Sequence, residues 1–96
     1  MTTFDTIRDA IAVRKEGLFR RFRVKNLAVF GSFARNEAGS DSDVDLLVGF
    51  DGPVGIEFID PADQLEEILQ RRVDLVSRGA IKPKFFERIQ PDLKYV

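Results

Sequence analysis

Apolar residues near the start of the chain recur at helical spacing. Over residues 3 to about 22 they fall at intervals of three, four and seven, which places one apolar stripe on one face of a helix: Phe4, Ile7, Ile11, Leu18 and Phe22. Thr2 followed by Asp5 resembles a capping box, with Asp in place of the usual Glu, and predicts where this helix begins. Basic residues at and beyond its end suit the helix dipole, so we interpret them as a solvated face rather than a binding patch.

Three shorter apolar runs, bounded by glycine, proline or acidic residues, predict strands. They cover residues 27 to 30, 44 to 50 and 73 to 76. The third run is unusual because it carries one acid, Asp74, between apolar neighbours.

Helical patterns separate these strands. A helix is predicted over residues 61 to 72, where Asp60 suits the N-cap and Pro61 the first turn, and another is predicted over residues 83 to 90. A short helix is also expected between the first two strands, so the order is α, β, short α, β, α, β, α. This order predicts one α/β (α+β) domain over residues 1–96, a small mixed β-sheet flanked by helices, with the three strands adjacent.

Composition limits the chemistry that this chain can perform. Its 96 residues suffice for one domain with a modest core. The sequence has no cysteine and no histidine, so disulfides, thiolate metal sites and imidazole bases are excluded. Any bound metal must be held by carboxylates, which favours Mg²⁺ or Mn²⁺ over Zn²⁺. The formal net charge of −1 does not indicate nucleic-acid binding.

The sequence also gives no indication of a membrane location. No apolar run approaches about 18 residues, the length that a membrane span needs. The N-terminal segment carries Asp5 and Asp9 and has no apolar core, unlike a signal peptide. The chain begins with Met1, and we expect a whole small protein located in the cytoplasm.

Two carboxylates follow a glycine–serine pair at a spacing that suggests phosphate chemistry. Gly31 and Ser32 end the first strand, and Asp43 and Asp45 stand at the start of the second. Residues two apart in a strand project to the same face. The backbone N–H groups of a small-residue turn can meet a phosphate. Paired hard oxygen ligands beside such a turn suggest Mg²⁺-dependent phosphoryl or nucleotidyl transfer.

Each of these motifs also has an ordinary structural interpretation. The Asp-rich segment could be a solvated turn, and Gly31 could simply allow a tight strand exit with a positive φ. Asp74 could face solvent at the sheet edge, because a buried unpaired acid would be costly. If the third strand lies beside the second, however, Asp74 joins Asp43 and Asp45. Three carboxylates that repel one another would then be relieved by bound metal ions.

The combined pattern resembles a known family. The glycine–serine pair, the Asp-x-Asp pair and the Val-Asp-Leu-Val run of residues 73 to 76 resemble the minimal nucleotidyltransferases of the DNA polymerase β-like superfamily. The stretch Gly-Ser-Phe-Ala-Arg…Ser-Asp-Val-Asp-Leu-Leu-Val is similar to the MntA-type antitoxins of HEPN/MNT toxin–antitoxin modules. One departure is visible, because Asn36 follows Arg35 where the family usually has glycine. Asn tolerates left-handed backbone better than most residues, so the turn can be preserved.

The resemblance implies roles for the matching positions. Gly31 and Ser32 would contact the nucleotide triphosphate, through backbone N–H groups and the Ser hydroxyl. Asp43 and Asp45 would bind Mg²⁺ and the triphosphate. Asp74 would help to activate the attacking hydroxyl and would complete the site of a second Mg²⁺. For Arg35 two roles stay open: pairing with phosphate or with the acids, or a structural salt bridge.

The resemblance also implies a function. The chain would be a protein adenylyltransferase that moves AMP from ATP to a hydroxyl, that of a tyrosine, on a HEPN-family toxin, and so would act as an antitoxin associated with that toxin. Larger relatives use a second domain to hold base or acceptor, so here the partner should help to complete the site. Two alternatives stay open: an antitoxin that neutralises its toxin by contact alone, and nucleotidyl transfer to a small molecule.

Overall fold

The computed structural model describes residues 2–52 and 59–96. Its elements, in chain order, are α1 (Phe4–Phe22), β1 (Val24–Phe30), β2 (Val44–Phe50), α2 (Ile59–Leu69), β3 (Val73–Ser77), α3 (Pro83–Ile89), a 3₁₀ turn (Gln90–Asp92) and β4 (Lys94–Tyr95). None of the helices in these two ranges is both long and apolar enough to cross a membrane.

Helix α1 has a capping residue at each end, Thr3 at its start and Arg23 at its end. Thr3 is the N-cap, and its hydroxyl accepts a hydrogen bond from the N–H of Thr6 at 3.3 Å. The capping prediction for Thr2 is therefore wrong by one residue. At the other end, Arg23 adopts a left-handed conformation with φ of 57°, and its N–H donates to the carbonyl of Phe19. The chain thereby turns directly into β1.

The four strands form one mixed sheet in the order β3-β2-β1-β4. Strands β1 and β2 are antiparallel, and β2 and β3 are parallel. The short β4 pairs antiparallel with β1 at the outer edge. The prediction that the first three strands are adjacent is confirmed, and so is the small mixed sheet flanked by helices.

The two faces of the sheet are covered unequally. Helices α1 and α2 cover one face, and the main core lies between them and the sheet, with Val29, Leu46 and Val48 among its buried side chains. On the other face, Phe30, Leu47 and Ile89 form a smaller cluster beneath α3. Side chains alternate along each strand. Asp45 and Asp74 stand two residues before Leu47 and Val76 of this smaller cluster, so they lie on the same, less covered face. That face carries the acids.

Several predicted boundaries differ from the structure. Residues 31 to 36 form a compact turn instead of a short helix. Helix α2 spans Ile59–Leu69 rather than residues 61 to 72, so it already includes Asp60, which is not the N-cap. It ends early because Gln70 adopts a left-handed φ of 53°. Strand β4 was not predicted at all, because two paired residues leave no periodic pattern.

Candidate active site

Strand register places two of the predicted acids side by side. In the parallel pair of β2 and β3, Asp45 is the direct partner of Asp74, and on its other side Asp45 pairs with Phe30 of β1. Neighbouring strands lie about 4.8 Å apart, so the two carboxylates leave the sheet as close neighbours on the same face. The fold therefore produces the juxtaposition that the acid in the third apolar run suggested.

Asp43 joins this pair from the segment that leads into β2. It stands two residues before Asp45 and one before the first residue of the strand, and its side chain is exposed. We call residues 39 to 43 the acidic loop. A short turn orders it, in which the Ser42 hydroxyl accepts from the N–H of Gly39 at 2.8 Å and the Ser42 N–H donates to the Gly39 carbonyl at 3.2 Å.

The electrostatics show that the three acids share one environment. Burial raises the pKa of Asp45, and the negative charges of Asp74 and then Asp43 raise it further. The positive charge of Arg35 opposes these effects and is the smallest of the influences. In the described part of the chain, no group donates a hydrogen bond to the Asp45 carboxylate that would stabilise its charged form. Asp45 is thus a half-buried acid with uncompensated negative neighbours, the situation that a bound cation relieves.

Gly31 brings the backbone of the preceding turn directly against Asp45. Its φ is +75°, a left-handed conformation that favours glycine. A Cβ placed on it would fall 3.1 Å from Cγ of Asp45 and nearer still to Oδ2. Both the backbone conformation and the space thus require glycine here. The result is a direct contact between the turn and the acid site, which the sequence motif alone did not show.

The residues after Gly31 form a turn with free donors at its start. We call residues 31 to 36 the Gly31 turn. The N–H of Arg35 donates to the Gly31 carbonyl at 3.1 Å, and the N–H of Glu37 donates to the Ser32 carbonyl at 2.8 Å. The N–H groups of residues 32 to 34 donate to no backbone carbonyl among the described residues. As at the start of a helix, such unpaired N–H groups can bind an anionic phosphate.

The end of the Gly31 turn bears out the expectation for Asn36. This residue has a φ of 59°, the left-handed conformation that glycine would adopt and that Asn tolerates. Within the turn, Phe33 and Ala34 are buried and anchor it to the core. The departure from the family pattern therefore leaves a well-formed turn.

Arg35 forms two salt bridges, both with acids other than the three of the candidate site. Its Nε donates to Glu37 Oε2 at 3.1 Å, and its Nη1 donates to Asp92 Oδ2 at 2.8 Å. These hydrogen bonds, the one to Asp92 first, raise the pKa of Arg35. Asp92 belongs to the 3₁₀ turn, 57 residues away in sequence. No local pattern could have indicated this partner. The structure thus shows the structural role for Arg35, and a contact to phosphate stays a prediction.

The carboxylates of the site suit a hard divalent cation that takes its remaining ligands from water and from the substrate. Among residues 2–52 and 59–96, no group of three or more acidic side chains is arranged to hold a metal ion by itself. Mg²⁺ characteristically takes one or two carboxylates and completes its octahedron with water and substrate phosphates. Asp45, Asp74 and Asp43 on one face, next to the free N–H groups of the Gly31 turn, match that partial arrangement.

A model of the nucleotidyltransferase domain matches residues 13–96 of this chain. The chain belongs to the nucleotidyltransferase family. Two curated relatives align with its whole length. One is a Methanocaldococcus jannaschii protein provisionally named a protein adenylyltransferase, 41% identical over 98 residues that cover 100% of both chains. The other is the protein adenylyltransferase MntA of Thermococcus cleftensis, 38% identical over 97 residues that cover 100% of this chain and 98% of the relative.

Solved structures share the fold of this nucleotidyltransferase. One, provisionally described as a minimal nucleotidyltransferase, is 34% identical with a TM-score of 0.77, and the match covers 97% of this chain and 95% of that one. Another comes from a complex of a tri-AMPylated Shewanella oneidensis HEPN toxin with an MNT antitoxin. At 20% identity and a TM-score of 0.67, covering 93% of this chain and 70% of that one, it shows likeness of fold alone. The predicted minimal nucleotidyltransferase fold is confirmed.

Proposed function

We propose that this nucleotidyltransferase moves AMP from ATP, with Mg²⁺, to a tyrosine hydroxyl of a HEPN-family toxin and thereby acts as its antitoxin in the cytoplasm. The observation that carries the proposal is the row formed by Asp45 and Asp74 beside the Gly31 turn. It combines paired carboxylates with free N–H donors on an open face of the sheet. The names of the two full-length relatives support AMP as the transferred group and a protein as the acceptor.

The reaction is an in-line displacement at the α-phosphorus of ATP. The acceptor hydroxyl oxygen forms a bond to this phosphorus, the bond from it to the bridging oxygen of the β-phosphate breaks, and pyrophosphate leaves. Magnesium, when bound, neutralises charge on the triphosphate and on the leaving group. Asp43 and Asp45 would hold the metal together with the triphosphate, and Asp74 would complete the place of a second ion.

The chain's own residues then position the two reactants. The N–H groups that follow Gly31, together with the Ser32 hydroxyl, hold the phosphates at the edge of the sheet. Asp74 is exposed on β3, so a hydroxyl from outside can reach it, and its carboxylate accepts the proton that the hydroxyl loses. Asp45 is the less accessible of the pair and lies against Gly31, so its carboxylate would serve the nucleotide rather than the acceptor.

The choice of partner follows from how open the site is. Asp43 and Asp74 are exposed, so a hydroxyl carried on a macromolecule can approach them from solvent. A macromolecular acceptor that brings its own hydroxyl would cover these exposed acids. The structural match to an MNT antitoxin bound to a tri-AMPylated HEPN toxin supports a partner of this class, in a stable or transient complex.

The test is toxin neutralisation in cells that co-express a HEPN partner. Asp43→Asn, Asp45→Asn and Asp74→Asn should each lose neutralisation, because each removes a carboxylate from the proposed site. Asp41→Asn is the matched control, since this acid is exposed in the same loop but is followed by Ser42 rather than by a strand. If the three site variants still neutralise the toxin at equal protein levels, the antitoxin acts by contact alone and the enzymatic proposal is wrong.

A further inference from the structure

Arg71 contacts both segments that build the acid site, although it belongs to neither. Its Nη1 donates to the Ser42 carbonyl at 3.1 Å and to the Ser40 carbonyl at 3.2 Å, both in the acidic loop. Its guanidinium carbon also lies 5.1 Å from the ring centroid of Phe33, in the Gly31 turn. One side chain thus bridges the acidic loop and the Gly31 turn.

The backbone around Arg71 explains how it reaches this place. Helix α2 ends at Leu69, and the left-handed conformation of the next residue, Gln70, turns the chain sharply towards β3. Directly after Arg71, the Arg72 carbonyl accepts a hydrogen bond from the N–H of Val44, the residue that follows Asp43, at 2.9 Å. Val73 at the start of β3 is held in turn, because its N–H donates to Glu66 Oε2 at 2.9 Å. The connection between α2 and β3 is therefore fixed against the start of β2.

The contacts of Arg71 suit a guanidinium. A planar guanidinium can donate to two carbonyls from its edge while its face lies over an aromatic ring. The ring of Phe33 is held in place by packing, since this side chain is buried in the core. The carbonyls belong to a loop that is otherwise exposed and is ordered chiefly by the turn between Gly39 and Ser42. Without Arg71 the acidic loop would be held mainly by that turn, which would then open more often and expose the Ser42 N–H to solvent.

We infer that Arg71 is a positioning residue that fixes the acidic loop against the Gly31 turn, so that Asp43 is held where the metal-bound triphosphate requires it. The role of Asp43 in this inference rests on the proposed function, whereas the contacts of Arg71 are seen in the structure. It assigns Arg71 no contact with substrate. Because Arg71 already orders the loop in the unbound protein, less conformational entropy is lost when the nucleotide binds, and the affinity for the nucleotide is higher.

The experiment compares Arg71→Ala and Arg71→Lys with Arg72→Ala as the matched control. Arg72 is the adjacent arginine, and its exposed side chain forms no hydrogen bond to the described residues. The first readout is amide hydrogen exchange of the unbound protein. In Arg71→Ala, exchange at Ser42 should be faster by about tenfold, as expected for the loss of hydrogen bonds to a charged donor. Exchange in the centre of β2 should stay as in the wild type.

The second readout is calorimetric binding of the magnesium complex of a non-hydrolysable ATP analogue. Arg71→Ala should bind it about tenfold more weakly, Arg71→Lys should fall between, and Arg72→Ala should match the wild type. Unchanged exchange at Ser42, or equally faster exchange throughout β2, would overturn the inference. Faster exchange at Ser42 with unchanged affinity for the analogue would also overturn it. If the wild type itself does not bind the analogue, the proposed function fails instead, and the exchange data still decide whether Arg71 orders the loop.

Discussion

Replacing Asp45 by Asn should make the metal-free protein more stable while it abolishes AMP transfer. The two side chains have nearly the same shape, so the substitution removes a charge and little else. In the structure this charge is partly buried and faces the negative charges of Asp74 and Asp43, which raise the pKa of Asp45. The described residues give its carboxylate no hydrogen bond that the substitution would break.

The size of the gain follows from the spacing of the strands. Charges on directly paired residues of neighbouring strands lie about 5 Å apart, where two unit charges repel by about 0.8 kcal/mol in water and by about 3 kcal/mol at an effective dielectric constant of 20. Asp74 is exposed, so the lower value is closer. We expect the free energy of unfolding to rise by about 1 kcal/mol, which raises Tm by about 4–8 °C in a domain of this size.

Thermal and urea unfolding without divalent metal, measured over a range of pH, would test this prediction. Because the folded-state pKa of Asp45 is raised, its ionisation costs stability above that pKa, and the cost disappears as the pH falls below the unfolded-state value. The advantage of Asp45→Asn should therefore be full at neutral pH and vanish in acid. Asp41→Asn, which removes an exposed acid of the acidic loop just before β2, should change neither stability nor transfer. If Asp45→Asn is instead less stable than the wild type at neutral pH, the repulsion inferred from the strand register does not exist.

Three further predictions concern the other residues of the site. Gly31→Ala should destabilise the fold by about 1–2 kcal/mol in urea unfolding, since alanine resists a left-handed φ, and should lose transfer because its Cβ displaces Asp45; normal activity would contradict the contact. Asp74→Asn should abolish transfer yet keep calorimetric binding of magnesium–ATP, and loss of both together would place Asp74 on the nucleotide side. Magnesium should bind weakly alone and clearly better with ATP, so ATP affinity that is equal with and without the metal would count against the site.

The parts of the fold that were predicted from the sequence are those that leave a periodic or apolar pattern. Strand β2 has the predicted bounds, and α1 differs from its predicted start by one residue. The turn after Gly31 was predicted as a short helix because small residues and a preceding strand do not distinguish a turn from a helix. The two residues of β4 are held by pairing with β1, a tertiary effect without a local signal.

The candidate site divides in the same way. Strand periodicity predicted that Asp43 and Asp45 share a face, although Asp43 lies one residue before β2. The proximity of Asp45 to Asp74 depended only on whether β3 lies beside β2. The contacts of Arg35 and Arg71 could not be predicted, because their partners are distant in sequence and include backbone carbonyls. Sequence patterns indicate which side chains share an element, but not which loops a long side chain will connect.

The central claim is most directly tested by the intact mass of a purified HEPN partner after incubation with this protein, ATP and Mg²⁺. With the wild type, the partner should gain the mass of one or more AMP groups, and a tyrosine should carry them. With Asp45→Asn, its mass should stay unchanged although the two proteins still associate. A partner that is bound and neutralised by the wild-type protein, but whose mass never increases, would contradict the account.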